Sequence, residues 1–226
     1  MPKSSDHSTQ LVPTDSKQVL ASYLQENDWS KELNYKLWVT KGSRFCAAQR
    51  LEKISDASTT AITFLTAYLI IIGLVPVFMP SVNEKVPPSL LGLSSVGISI
   101  LVLAYSLLES SRRYALRSYL YHDCAIQVGK LYDALRQAKE LEEDSTKRAS
   151  AIRQITQDYE RTLDRYENHT PIDYDIFKTQ KPDYFKLSFR ERWGTYLRAY
   201  YQTTFKYHLL IVLPPITVVA LYWLLE

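Results

Sequence analysis

Few residues in this chain are arranged for covalent chemistry. His122, Asp123 and Cys124 put a base, a carboxylate and a thiol side by side. On a helix, however, neighbours point about 100° apart and do not converge on one substrate. Cys46 and Cys124 are the two cysteines, far apart and in no paired spacing, so neither a disulfide framework nor a zinc site is expected. No nucleophile converges with a base, no carboxylate pair shares a plausible pocket, and no glycine loop is built to cradle phosphate. The sequence predicts no enzyme, no cofactor and no metal site. Patterned chemistry lies instead in hydroxyl and small residues within two apolar runs. Thr59, Thr63, Thr66 and Gly73 fall close to one face of the first run, and Gly92, Ser95, Ser99 and Ser106 do the same in the second. Such residues let backbones approach and bond across an interface. They either pack the two runs on each other or line a water-filled path in an oligomer.

The elements that carry these faces read as a transmembrane helical hairpin over residues 57–109. The two runs, of about 22 and about 20 residues, hold no charged residue or histidine. At the helical rise each spans about 30 Å, a bilayer's hydrocarbon thickness. Pro80, Asn83, Glu84, Lys85, Pro87 and Pro88 in the joint are turn residues. Lys41, Arg44, Arg50 and Lys53 precede the first run, and Arg112, Arg113 and Arg117 follow the second. The positive-inside rule then places both ends in the cytoplasm and the joint outside. The absence of charge within the runs argues against a proton relay or voltage sensor. A formal net charge of +3 is too small to imply a nucleic-acid partner.

The expected class is an all-α membrane protein: the hairpin, a cytoplasmic antiparallel α-hairpin and a third C-terminal span. Residues 1–16 are polar and aperiodic, as in a disordered tail. Residues 17–56 hold cytoplasmic amphipathic helices: a short one from Lys17 to Asn27, then one starting near a Ser30 cap with an apolar stripe through Leu33, Leu37, Phe45, Ala48 and Leu51. Gly42 weakens the middle of the second by about 1 kcal/mol relative to Ala, a place for a kink or break. Over residues 110–168, Tyr121, Cys124, Val128, Leu131, Leu135 and Ala138 form one seam. Ala149, Ile152, Thr156, Tyr159, Leu163 and Tyr166 form the matching one, with Asp144 or Ser145 as the cap between. Asn168 is expected to cap the end of this unit, and His169 to serve as a structural hydrogen-bonder or a pH sensor. Residues 169–206 form a linker and an interfacial helix, with Phe189, Trp193, Tyr196 and Tyr200 interleaved with basic residues. Residues 207–226 form the last membrane segment, a third span or a re-entrant anchor. In it Pro214 and Pro215 leave the carbonyls of Leu210 and Ile211 without their usual donors.

The layout as a whole resembles a known family. A basic amphipathic helix (LWVTKGSRFCAAQRLEK) enters a two-span hairpin, a helical region follows, and then comes NHTPIDYDIFK, with Asn168, His169, Pro171, Asp173 and Tyr174 as its most specific part. This is similar to the bacterial SLATT family, the SMODS- and SLOG-associating two-TM effector domains, in the subclass found beside reverse transcriptases. The resemblance implies an effector of an anti-phage or conflict system, multi-pass in the bacterial inner membrane with its N-terminus cytoplasmic. It also implies a homo-oligomer that forms a pore or disrupts the lipid bilayer when an operon-encoded partner signals, such as a reverse transcriptase or a nucleotide-signal sensor. A non-conducting membrane scaffold that recruits a cytoplasmic partner is the alternative.

Overall fold

The computed structural model describes residues 28–78 and 87–225, and their regular structure is entirely helical. The expectations for residues 1–16, for a helix over residues 17–27, for the joint at 79–86 and for Glu226 lie outside the described residues.

One helix, α1 (Trp29–Phe78), dominates the chain at 50 residues. Its first turn is capped by Asp28, whose Oδ1 accepts from the backbone N–H of Ser30 (2.9 Å) and of Lys31 (3.3 Å), so Asp28 takes the place expected of Ser30. The helix runs through Gly42 without a break. A Cβ at Gly42 would overlap the Phe177 ring, so the glycine here admits a close neighbour rather than marking a weak point. The expected stripe holds for Leu33, Leu37, Ala48 and Leu51, which are buried, while Phe45 is half-buried edge-on to His122.

Helix α2 (Pro88–Ser111) returns antiparallel to the upper half of α1. Arg113 then adopts a left-handed conformation (φ 49°), a sharp joint before α3 (Tyr114–Leu141). Helix α4 (Ser145–Asp164) folds back on α3, capped by Asp144, whose carboxylate accepts from Thr146 and Lys147 N–H. The α-hairpin is therefore present, but it is two-thirds of a three-helix bundle. Leu33 and Leu37 of α1 share one core with Cys124, Val128 and Leu135 of α3 and Ile155 and Tyr159 of α4. Of the expected seam, Tyr159 is buried and Ile152, Leu163 and Tyr166 pack against the core, while Ala149 is exposed; because α4 meets both other helices, Ile155 and Thr162 are buried as well. Thr40 on α1 hydrogen-bonds the Tyr159 hydroxyl at 2.7 Å, and the Trp29 indole donates to Thr156 Oγ1 at 3.3 Å.

Three further helices return the chain to the apolar end. Pro171 occupies the first turn of α5 (Pro171–Thr179), where its missing N–H costs nothing. Trp38 of α1 receives Phe177 of α5 edge-on (5.0 Å) and lies parallel to Phe185 (6.0 Å) of α6 (Pro182–Phe185), which pins both short helices to α1. Helix α7 (Phe189–Thr203) opens with a Ser188–Glu191 capping box, and its expected aromatic row stays exposed. It meets α8 (Phe205–Leu225) at 63°. Tyr207, Leu210 and Ile211 pack α8 against Ala47, Ala48, Leu51, Ile54 and Ala61 of α1, so α8 runs in the same direction as α1. Among the described residues, two helices are long and apolar enough to cross a membrane, and three if the bent α7–α8 pair counts as one span.

Candidate functional site

The hydroxyl and glycine faces separate into two groups. Gly73 and Ser95 face each other across the hairpin, with 4.0 Å from a Cβ at Gly73 to Ser95 Oγ. Ser95 and Ser106 are half-buried and Gly73 is exposed. Thr59, Thr63, Thr66, Gly92 and Ser99 are exposed, outside the contact between the two spans. Each of these hydroxyls turns back to its own helix: Thr59 donates to Ser55 O (3.0 Å), Thr63 to Thr59 O (2.9 Å), Thr66 to Ile62 O (2.9 Å) and Ser99 to Ser95 O (2.7 Å). A hydroxyl satisfied in this way tolerates an apolar surrounding and keeps its lone pairs for water or a second helix.

The two stripes converge at the foot of the hairpin. A cleft of about 270 Å³ there is lined by Ser55, Ser58, Thr59, Ser106 and Glu109, with Arg113 at its edge. Glu109, one residue past the second apolar run, is buried. Its carboxylate accepts from the Tyr207 hydroxyl (2.6 Å), Lys206 Nζ (3.1 Å) and Ser58 Oγ (3.3 Å), joining α2, α8 and α1 at one point. Reading the sequence as a run ending at Leu108 missed this residue. The available signal was a lone acid in a flank otherwise made of arginines.

The second cluster is the segment after α4. Asp173 is fully buried, and Arg50 grips it with both donors of its fork, Nε to Oδ1 (2.6 Å) and Nη2 to Oδ2 (3.1 Å). The Oδ2 of the same carboxylate also accepts from the backbone N–H (2.9 Å) and hydroxyl (2.7 Å) of Thr170, so this buried charge is paired and hydrogen-bonded by four donors. Asn168 is not the expected helix cap, because α4 ends at Asp164 with Arg165 as its cap. Asn168 instead accepts from Tyr121 OH at its carbonyl (2.9 Å) and from Arg44 Nη2 at its side chain (3.3 Å), contacts that hold the segment across α3 and α1. Arg44 is fully buried, its guanidinium 5.3 Å from the centre of the Tyr121 ring. His169 is half-buried, and its Nδ1 has no hydrogen-bond partner, so the expected structural bond is absent at that atom. Burial, reinforced by Arg44 and opposed by Asp173, lowers its pKa. The Tyr174 hydroxyl lies 3.5 Å from that of Tyr35, with Lys178 over its ring. Asn168, Asp173 and Tyr174 thus tie the segment and α5 to the bundle. His122, Asp123 and Cys124 diverge: to Phe45, to Gln127 and Tyr166, and into the core.

Two long apolar helices, a bent C-terminal pair and a helical bundle clamped by the buried Arg50–Asp173 ion pair define an all-α membrane protein with an attached helical module. The chain belongs to the SMODS and SLOG-associating 2TM effector domain family 5, whose model matches residues 27–221. No curated protein and no solved structure matches it. The protein is accordingly a membrane effector.

Proposed function

We propose that this effector acts in a bacterial anti-phage or conflict system by assembling in the inner membrane and opening a hydrated path through it. The hydroxyl-lined cleft at the foot of the hairpin, with the Glu109 carboxylate beside it, carries the proposal. A mouth of this kind attracts water and cations to a span that is otherwise apolar. One chain supplies a single wall. The exposed ladder of Thr59, Thr63 and Thr66, together with Gly92 and Ser99, supplies a surface for the next copy. The bundle lies in the cytoplasm in this proposal, where a neighbouring gene product, a reverse transcriptase or a nucleotide-signal sensor, delivers the trigger. Lys53, Arg112, Arg113 and Arg117 support that orientation; Arg50 does so less directly, since it is also committed to Asp173.

Purified full-length protein in liposomes should release a small dye, and Ser106→Leu, which puts a larger apolar side chain into the cleft, should reduce release while oligomer size is unchanged. An absence of release at every protein-to-lipid ratio would favour the non-conducting scaffold. Cysteine placed at Asn83 should label with an impermeant reagent in intact cells, and cysteine at Glu142 should not; the reverse pattern overturns the orientation.

A further inference from the structure

A second cleft lies outside the hairpin. It measures about 590 Å³ and opens between α1 and the α7–α8 bend, where α7 slants away from α8 by 63° and leaves a wedge. It straddles the boundary between the bundle and the apolar segments. Its α1 wall runs from Arg50 and Lys53 up to Ala57 and Thr60, which are already at the start of the first span. Its other wall rises from Tyr200 and His208 to Ile211. One end is therefore polar and lies outside the apolar zone, and the other end is apolar and continuous with it.

The polar end has an uncommon charge arrangement. Lys53 and Asp56 both line it, both are exposed, and no hydrogen bond or ion pair joins either of them to another described residue. Arg50 is neutralised by Asp173, and the His208 ring is held by Tyr200 OH at 2.8 Å. One free cation and one free anion, three residues apart on a single helix, present opposite signs to one occupant. An anion alone would meet Asp56, and an apolar chain alone would leave both charges unanswered.

We propose that this cleft binds a zwitterionic phospholipid, with its phosphate on Lys53, its cationic amine on Asp56 and one acyl chain laid along Ala57 and Ile211 into the bilayer. Basic pockets at the bilayer surface between membrane helices are known to take lipid headgroups. Here the added carboxylate selects a headgroup that carries its own positive charge. The lipid fills the wedge behind the α7–α8 bend, independently of whether the protein conducts.

The test uses native mass spectrometry of the detergent-solubilised full chain titrated with phosphatidylethanolamine or phosphatidylglycerol. The expected result is retention of phosphatidylethanolamine in preference to phosphatidylglycerol. Lys53→Gln should weaken both by about fivefold, the loss of one cation near the surface. Asp56→Asn should erase or invert the preference, because only the amine-bearing lipid loses a partner. Thr60→Trp should block both by filling the chain end, and Lys147→Gln at the far end of the bundle should change neither. Phosphoethanolamine, the headgroup without chains, should not compete; if it competes at equal concentration, the site takes a soluble metabolite and the lipid assignment fails. Preference for phosphatidylglycerol in the wild type, or an unchanged preference in Asp56→Asn, overturns the proposal. Both charge variants alter exposed, unpaired side chains, and the elution volume on size exclusion verifies that each is folded.

Discussion

The hydroxyl of Tyr68 on α1 donates to the backbone carbonyl of Ile211 on α8 at 3.0 Å. Ile211 is the residue whose helical donor is missing, because position 215 is proline. A tyrosine from the neighbouring span thus supplies the hydrogen bond that the ring of Pro215 removes, and α8 continues as a helix through both prolines. The pair predicts a compensation. Tyr68→Phe should cost about 1 kcal/mol, typical of an interhelical hydrogen bond in a membrane. In a Pro215→Ala background, where position 215 regains its N–H, the same change should cost less. Unfolding midpoints in mixed detergent for the four proteins measure this, and equal costs in both backgrounds would show the bond to be incidental.

Gly42 gives a second prediction with an unexpected sign. Alanine is the better helix former by about 1 kcal/mol, so an exposed Gly→Ala change inside a helix normally stabilises. At this position the added methyl meets the Phe177 ring, and overpacking of that kind costs about 1–3 kcal/mol. Gly42→Ala should therefore lower the thermal midpoint, and Phe177→Leu in the same chain should recover part of the loss. A midpoint raised by Gly42→Ala alone would show that the ring moves aside freely.

Glu109 gives a graded series. Glu109→Gln keeps an acceptor for Tyr207 and loses the attraction to Lys206, whereas Glu109→Ala loses both and leaves a buried hydroxyl unpaired. The expected order of stability is wild type, then Gln, then Ala, with the last step about 1–3 kcal/mol. Protease cleavage near Thr203 and Thr204 should accelerate in the same order as the foot of α8 comes loose. Equal cleavage rates in all three would show that the apolar packing of α8 on α1 suffices.

His169 sets a pH dependence. Its folded-state pKa is lowered, first by burial and then by Arg44, from an ordinary value near 6.5. Over the interval below about 6.5 the unfolded chain takes up the proton more readily than the folded one, so acid favours unfolding. The histidine's contribution is complete above about pH 6.5 and declines as the pH falls through the lowered value. His169→Gln should flatten the unfolding midpoint between about pH 6.5 and pH 5 relative to wild type. A wild-type midpoint that rises on acidification would contradict the assignment.

What could be read in advance follows a physical divide. The spans were legible because length and freedom from charge are local properties, as was the Asp144 cap. Asn168 looked like a cap because local rules see only its neighbours. Its real partners, Arg44 and Tyr121, are 124 and 47 residues away in the chain. The seam of α4 was misjudged at Ala149 for a related reason: a heptad-like pattern assumes one partner helix, and α4 has two. Of the residues singled out in the membrane, the pattern grouped Ser95 with Ser99, yet one faces the first span and the other faces outward. Small residues at helical spacing mark a face but not what lies opposite it.

Two of the connections from bundle to membrane differ mechanically. Helix α1 passes from Trp29 to Phe78 as one uninterrupted rod of 50 residues, about 75 Å at the helical rise. The other route, from α2 to α3, contains the left-handed joint at Arg113. One leg is a mast and the other has a knee. A tilt of about 5° at the bundle end of such a mast sweeps its far tip through roughly 6 Å, more than one helical turn. A tilt applied at the bundle end would be carried by α1 directly to its far tip, whereas the joint at Arg113 breaks the rigid connection between α3 and α2.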